Sequence, residues 1–218
     1  MGEHESGGSP RTSTELSGME ESQNLVQELS SGDDHRAEAA ARKLAEGGSA
    51  SLPTLRELLG SSDANTRWWA TWALSSLSHP EVGQILRGLL KDPDNTVRQC
   101  AALALREYPS CDAISDLVEL LEEQDPILAR LAAAALIACG REAVPALLEV
   151  FQNGSQKARL EAVRSLATIG DKRAIPALYT AYQEGSAVME YWANEGLDRL
   201  GLGLVLFNPG EQPPSGES

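Results

Sequence analysis

The alternation of apolar and polar positions repeats along this chain with a period of about thirty residues. Leucine recurs at 44, 74, 105, 136, 166 and 197, at intervals of 30, 31, 31, 30 and 31. Four residues before each stands an alanine: Ala40, Ala70, Ala101, Ala132, Ala162 and Ala193. Eleven before stand Asp33, Asp63, Asp94, Asp125, Ser155 and Ser186, all residues that favour a helix N-cap because a side-chain oxygen can accept from the first free N–H groups. Four after come Gly48, Ser78, Pro109, Gly140, Gly170 and Gly201, mostly residues that end a helix. Cap, core and terminus thus set one register independently, and each copy predicts a helix of about 11–14 residues, here termed helix B.

Ahead of each helix B lies a second amphipathic stretch, helix A. Copies include "LPTLRELL" (52–59), "VGQILRGLL" (82–90), "AISDLVELL" (113–121), "AVPALLEVF" (143–151) and "AIPALYTAY" (174–182), with a weaker, shorter first copy around Asn24–Ser30. Pro53, Pro145 and Pro176 fall in the first turn, where a missing N–H costs nothing. A pair of short helices cannot bury its apolar faces alone, whereas stacked pairs share a core. The expected fold is an all-α, right-handed α-solenoid of six two-helix repeats. Its expected limits are a solenoid over 22–207, an acidic disordered tail over 1–21 and a second disordered tail over 208–218. The run "LGLVLF" (202–207) reads as a cap over the last repeat, with a docking peptide as the alternative.

At 100° per residue, positions −8, −4, −1 and 0 relative to the leucine of helix B share one face, the core. Positions −6 and −2 lie roughly opposite and are expected to draw the concave surface. In chain order they are Glu38 and Arg42, Trp68 and Trp72, Gln99 and Leu103, Arg130 and Ala134, Leu160 and Arg164, and Tyr191 and Glu195. "TRWWATW" (66–72) holds three of the four tryptophans. Trp69, with Cys100, Leu131 and Trp192, falls at −5, on the edge of the core, and reads as packing between repeats. Trp68 and Trp72 are i, i+4 neighbours on the face away from the core. They read either as an exposed anchor for a partner or as rings folded onto small neighbours such as Ala41. The anchor reading extends to Leu103, Arg130, Arg164 and Tyr191, since clustered aromatics beside arginine are what interface hot spots contain.

Composition narrows the chemistry. The apolar share is 42% with only 5% aromatic residues, which favours close-packed helices. A formal charge of −14 makes nucleic acid and anionic membranes poor partners. Three cysteines and no secretory pattern suit reduced thiols in a cytoplasm. The three histidines, His4, His35 and His79, are far apart in the repeat frame, and no zinc spacing or phosphate loop occurs. Cys100 and Cys139 fall on or beside the core and read as inert; Cys111 lies in a turn without an evident base. No catalytic residue, metal or cofactor is expected from the residues themselves.

"DPDNTVRQCAALAL" (92–105) and "AIPAL" (174–178) resemble the HEAT-like repeat first described in phycobilisome lyases, in which Asp, Val-Arg, Ala-Leu, Gly and Ala-Ile-Pro-x-Leu follow in order. The likeness covers about residues 22–201. The family arginine is matched by Arg67, Arg98 and Arg159 and replaced by Ala37, Ala129 and Glu190, so a continuous Arg–Asp ladder is not expected. The resemblance implies an armadillo-type fold. It also implies two functions: a non-catalytic scaffold that binds another protein, or a bilin lyase subunit or chromophore-maturation factor whose partners are a bilin or a phycobiliprotein. Such lyases often work as pairs. Two other HEAT-like activities fit poorly. Deoxyhypusine hydroxylase takes iron on His-Glu pairs, of which this chain has one, His4-Glu5, in the tail. HEAT-like DNA glycosylases need a basic track for DNA.

Overall fold

A computed structural model describes residues 13–184 and 186–202. Among them there are no strands, and twelve α-helices form six A–B pairs: α1 (Ser13–Leu29) and α2 (Asp34–Glu46), α3 (Leu52–Leu59) and α4 (Ala64–Ser75), α5 (Val82–Leu89) and α6 (Asn95–Glu107), α7 (Ile114–Glu119) and α8 (Pro126–Cys139), α9 (Val144–Asn153) and α10 (Gln156–Ile169), and α11 (Ile175–Gln183) and α12 (Ala187–Arg199). Helix α1 begins within the 1–21 segment. The expected tail over 208–218 lies outside the described residues. So does the run at 202–207, apart from Leu202, which is exposed. No helix among the described residues is long and apolar enough to cross a membrane.

The chain divides into two compact units, 1–82 and 83–218. In the first, α1 packs on α2, α3 on α4, and the two B helices α2 and α4 lie against each other. In the second, α6, α8, α10 and α12 pack each on the next, while α7, α9 and α11 pack against α8, α10 and α12 respectively.

The repeat register explains both cores. Ala40, Ala70, Ala101, Ala132, Ala162 and Ala193 are buried, as are all six leucines of the zero column. A methyl at −4 lets neighbouring B helices approach closely while the leucine fills the layer between them, which is how close packing is reached without aromatic bulk. The caps follow the sequence with one exception. Asp33, Asp63, Asp94, Asp125 and Ser155 each accept from backbone N–H groups in the first turn, for example Thr96 N at 2.8 Å for Asp94. Ser186 has the extended backbone of a cap but its side chain makes no capping bond. At the other end Gly48, Gly140, Gly170 and Gly201 take positive φ, the left-handed turn that only glycine adopts freely.

The matched arginines reach backbone carbonyls of their own repeats. Arg67 donates from Nη1 to Ser61 O (2.9 Å) and Ser62 O (3.2 Å), Arg98 to Asp92 O (3.0 Å), and Arg159 from Nε to Phe151 O (2.8 Å). Each folds back over the turn that joins A to B in its own repeat and satisfies carbonyls left open at that turn. Links between repeats include the pair of Arg159 Nη2 with Glu184 Oε1, after α11, and others besides. Asn95 Nδ2 and Gln99 Nε2 both donate to Asp125 Oδ2. Buried Asp116 pairs with Arg87 and with Lys91; burial pushes its carboxyl up, but the two cations together outweigh this and hold it below its usual range.

Candidate partner-binding surface

In the first unit the candidate surface is set by α4. Asp63 caps it, with Thr66 donating from both N (2.8 Å) and Oγ1 (2.7 Å). Arg67 is held to the preceding turn, and Thr71 donates its buried hydroxyl to Arg67 O at 2.7 Å. With Ala70, Ala73 and Leu74 fully buried, the remaining bulk of α4 is its three indoles. All three are half-buried. Trp69 meets Trp68 edge to face with centroids 4.8 Å apart, and Trp72 in the same manner at 6.0 Å. Trp69, expected half-buried at the edge of the core, bridges Trp68 and Trp72, and the three indoles form one cluster. The Trp69 Nε1–H is buried and has no hydrogen-bond partner. On α2, the same two columns carry Glu38 and Arg42, joined by an ion pair of 2.6 Å.

In the second unit the −6 and −2 columns are mixed. Leu103 is 40% exposed and Tyr191 61%; the Tyr191 ring stands edge-on to half-buried Trp192 with centroids 5.2 Å apart. Gln99 is tied to Asp125. Arg130 is exposed, whereas the Arg164 side chain is mostly covered. The two guanidinium groups are brought together by Glu161, a buried carboxylate with Oε1 3.8 Å from Arg130 Nη2 and Oε2 2.5 Å from Arg164 Nη2. The shorter contact is an ion pair not aligned as a hydrogen bond, which leaves Oε2 without a directed donor. Burial is the main cause that lowers the Arg164 pKa; Glu161 opposes it and Arg130 adds to it.

Sequence reasoning passed over Glu161. Its signal was nonetheless present: it occupies the −5 column that elsewhere holds Trp69, Cys100, Leu131 and Trp192. A carboxylate on that edge must find cations, and the −6 residue of the previous repeat and the −2 residue of its own are both arginine.

The cysteines offer no nucleophile. Burial pushes the thiols of Cys100 and Cys139 up to about 12, and Cys111 is also raised, first by burial, although Cys139 opposes this. Among the described residues no group of His, Cys, Asp and Glu is placed to hold a metal ion. What both surfaces present is partly accessible aromatic, aliphatic and guanidinium groups on rigid helices.

Comparison with known proteins bears on this arrangement. The family described as HEAT repeats matches residues 22–106, 79–138 and 114–198. The chain belongs to the HEAT-repeat family. Two curated relatives place the repeat near the phycobilisome-lyase type. The uncharacterized phycocyanin operon protein Z of Pseudanabaena tenuis (strain PCC 7409) is 26% identical over 142 residues, 61% of this chain and 70% of the relative. The phycocyanobilin lyase subunit beta of Nostoc sp. (strain PCC 7120) is 33% identical over 93 residues, 43% of this chain and 46% of the relative, so the match spans about half of that protein. Among solved structures, the complex of CpcE and CpcF of phycocyanin lyase from Nostoc sp. PCC7120 aligns with a TM-score of 0.50 at 20% identity over 92% of this chain and 82% of the other. A designed armadillo repeat protein in complex with a (KR)4 peptide aligns with a TM-score of 0.50 at 21% identity over 81% of this chain and 98% of the other. At these identities both likenesses speak for the HEAT and armadillo class of fold alone.

Proposed function

We propose that this HEAT-repeat protein is a non-catalytic scaffold that holds another protein on the B-helix face of its repeats, with Trp68 and Trp72 as anchors in the first unit and Leu103, Arg130, Arg164 and Tyr191 as contacts in the second. One observation carries the reading. Within the same helices the −4 and zero columns are uniformly buried alanine and leucine, while the −6 and −2 columns keep large apolar, aromatic and guanidinium groups at least partly accessible. Aromatic and arginine side chains that retain solvent contact on a rigid element are the groups that dominate interface energies. Changing Trp68 and Trp72 together to Ala is expected to leave the helical circular dichroism in place and to weaken recovery of a partner identified by affinity capture and mass spectrometry. Undiminished recovery from the double variant removes these two residues from the site.

A second reading is favoured by the 33% identity to a phycocyanobilin lyase subunit beta: the chain serves as one subunit of a bilin lyase or as a chromophore-maturation factor, with a bilin or a phycobiliprotein as partner. The half-buried indole cluster offers flat surface on which a tetrapyrrole can stack. Mixing with phycocyanobilin discriminates between the readings. A saturable shift of the visible bands supports the second, and an unchanged spectrum up to high micromolar concentration leaves the scaffold.

A further inference from the structure

The A helices of the second unit carry a different concavity, on elements the proposed partner surface does not use. Between α7 and α9 a groove of about 450 Å³ opens to solvent. Its floor is aliphatic: Ile114 and Val118 from α7, Ala146 and Val150 from α9. Val150 is buried and the other three are half-buried, so the groove keeps apolar surface in contact with water. Ala146 is the smallest of the four apolar side chains that line it.

The charged groups that line this groove have one sign. Glu119 on α7 and Glu149 on α9 both line it, both are exposed, and neither makes an ion pair. No lysine or arginine lines it. Lys91 feels Glu119 but is itself paired with Asp116. An aliphatic floor between two unneutralised carboxylates favours an aliphatic side chain flanked by cations. Helices present that combination at i, i+3 and i+4, and a helix ridge is the shape that fits a seam between two helices.

The geometry points to a second docking site on this chain, the α7–α9 groove, whose occupant is a basic amphipathic helix of a partner protein. Lysine or arginine one turn either side of a buried leucine pairs with Glu119 and Glu149, and the leucine covers Val118 and Ala146. The charge of −14 steers such a helix toward the chain, and the groove decides where it rests.

The test uses the full chain and a dye-labelled helical peptide of about 14 residues of leucine and lysine, long enough to span the groove at about 1.5 Å per residue, followed by fluorescence anisotropy. A leucine–glutamate peptide of the same pattern is the counterpart. The leucine–lysine peptide is expected to bind at least about tenfold more tightly than the counterpart, since opposite and like charges separate at an interface by more than one such step. Glu119→Gln with Glu149→Gln is expected to weaken it about fivefold or more, and Ala146→Trp, which fills the groove, is expected to do the same without touching charge. A second double variant, Glu57→Gln with Glu190→Gln, removes the same charge from exposed positions away from the groove. If it weakens the peptide as much as the groove variants do, or if the peptide fails to bind, the site does not exist. Binding that survives Ala146→Trp has the same consequence. Because Trp68 and Trp72 are intact in all of these variants, failure here leaves the B-helix reading standing, and its failure leaves this one.

Discussion

The indoles of Trp68 and Trp69, adjacent in sequence, meet edge to face at 4.8 Å with their planes 89° apart, and the N–H of the second ring is buried without an acceptor. These two facts give very different magnitudes for two substitutions at position 69. A buried donor with no partner carries a desolvation cost of about 1–3 kcal/mol. Trp69→Phe removes that donor while keeping an aromatic edge against Trp68 and Trp72. Its net cost in urea denaturation is expected to be below about 1 kcal/mol, because the lost ring area and the relieved donor nearly cancel. Trp69→Ala removes the bridge itself and is expected to cost about 3 kcal/mol. A Trp69→Phe variant as damaged as Trp69→Ala shows that the N–H has an acceptor in solution.

The caps provide a sharper contrast, since the sequence treats all six alike. Asp94 accepts from Thr96 N, Thr96 Oγ1 and Val97 N, whereas the Ser186 hydroxyl makes no bond to α12. Asp94→Ala is expected to destabilise by about 0.5–2 kcal/mol, the usual cost of a lost N-cap. Ser186→Ala is expected to fall within about 0.5 kcal/mol of the parent, since there is no capping bond to lose. Both are read from thermal and urea unfolding of the single variants.

How much could be read in advance follows from which interactions are periodic. The register, the A–B pairing and the buried columns were legible because every repeat uses the same small set of backbone and core contacts, so six copies reinforce one signal. Arg67, Arg98 and Arg159 were legible as a motif, but their acceptors were not, because backbone carbonyls carry no sequence identity. Ser186 fails as a cap although its residue type is right, because type permits a bond that local geometry then declines. The roles of Trp69 and Glu161 were missed for a related reason. Helical angle fixes where a Cβ points, not where a long side chain ends, and the indole and carboxylate heads lie well beyond it. The cap expected from 202–207 lies, apart from Leu202, outside the described residues.

Acid should reveal Asp171. It accepts from Arg173 N and Nε at 2.9 Å and from Arg173 Nη2 at 3.0 Å, with Arg141 Nε 3.6 Å away. Arg173 above all, assisted by its own backbone N–H, holds the carboxyl at about 2. An ordinary aspartate in the unfolded chain titrates near about 3.9. The folded value is depressed, so the unfolded chain binds the proton first: the contribution is complete above the unfolded value and is lost as pH falls through about 4 toward about 2. Asp171→Asn is therefore expected to be less stable than the parent at neutral pH, and the gap is expected to close across that window. Urea unfolding of both proteins from pH 6 to pH 2 measures it, and a gap that stays constant contradicts the ion pair.

Two glycines inside helices should respond oppositely to the same substitution. Alanine replaces glycine in a helix interior with a gain of about 0.5–1 kcal/mol when nothing obstructs the methyl, through backbone entropy. Gly88, on α5, is exposed and a Cβ there meets nothing within 4 Å; Gly88→Ala is expected to stabilise by about that amount. Gly196, on α12, is buried where α12 crosses α10 and α11. A Cβ there would lie 2.8 Å from both Cα and Cβ of Ala167 and 2.9 Å from Leu178 Cδ1. The leucine tip can turn away, but the Ala167 backbone belongs to α10 and moves only if the helix–helix spacing opens. Overpacking of this kind costs about 1–3 kcal/mol, which exceeds the propensity gain, so Gly196→Ala is expected to destabilise. Differential scanning calorimetry of the two variants against the parent reads the signs directly. A stabilising Gly196→Ala means that α12 is not packed as closely on α10 as the structure has it.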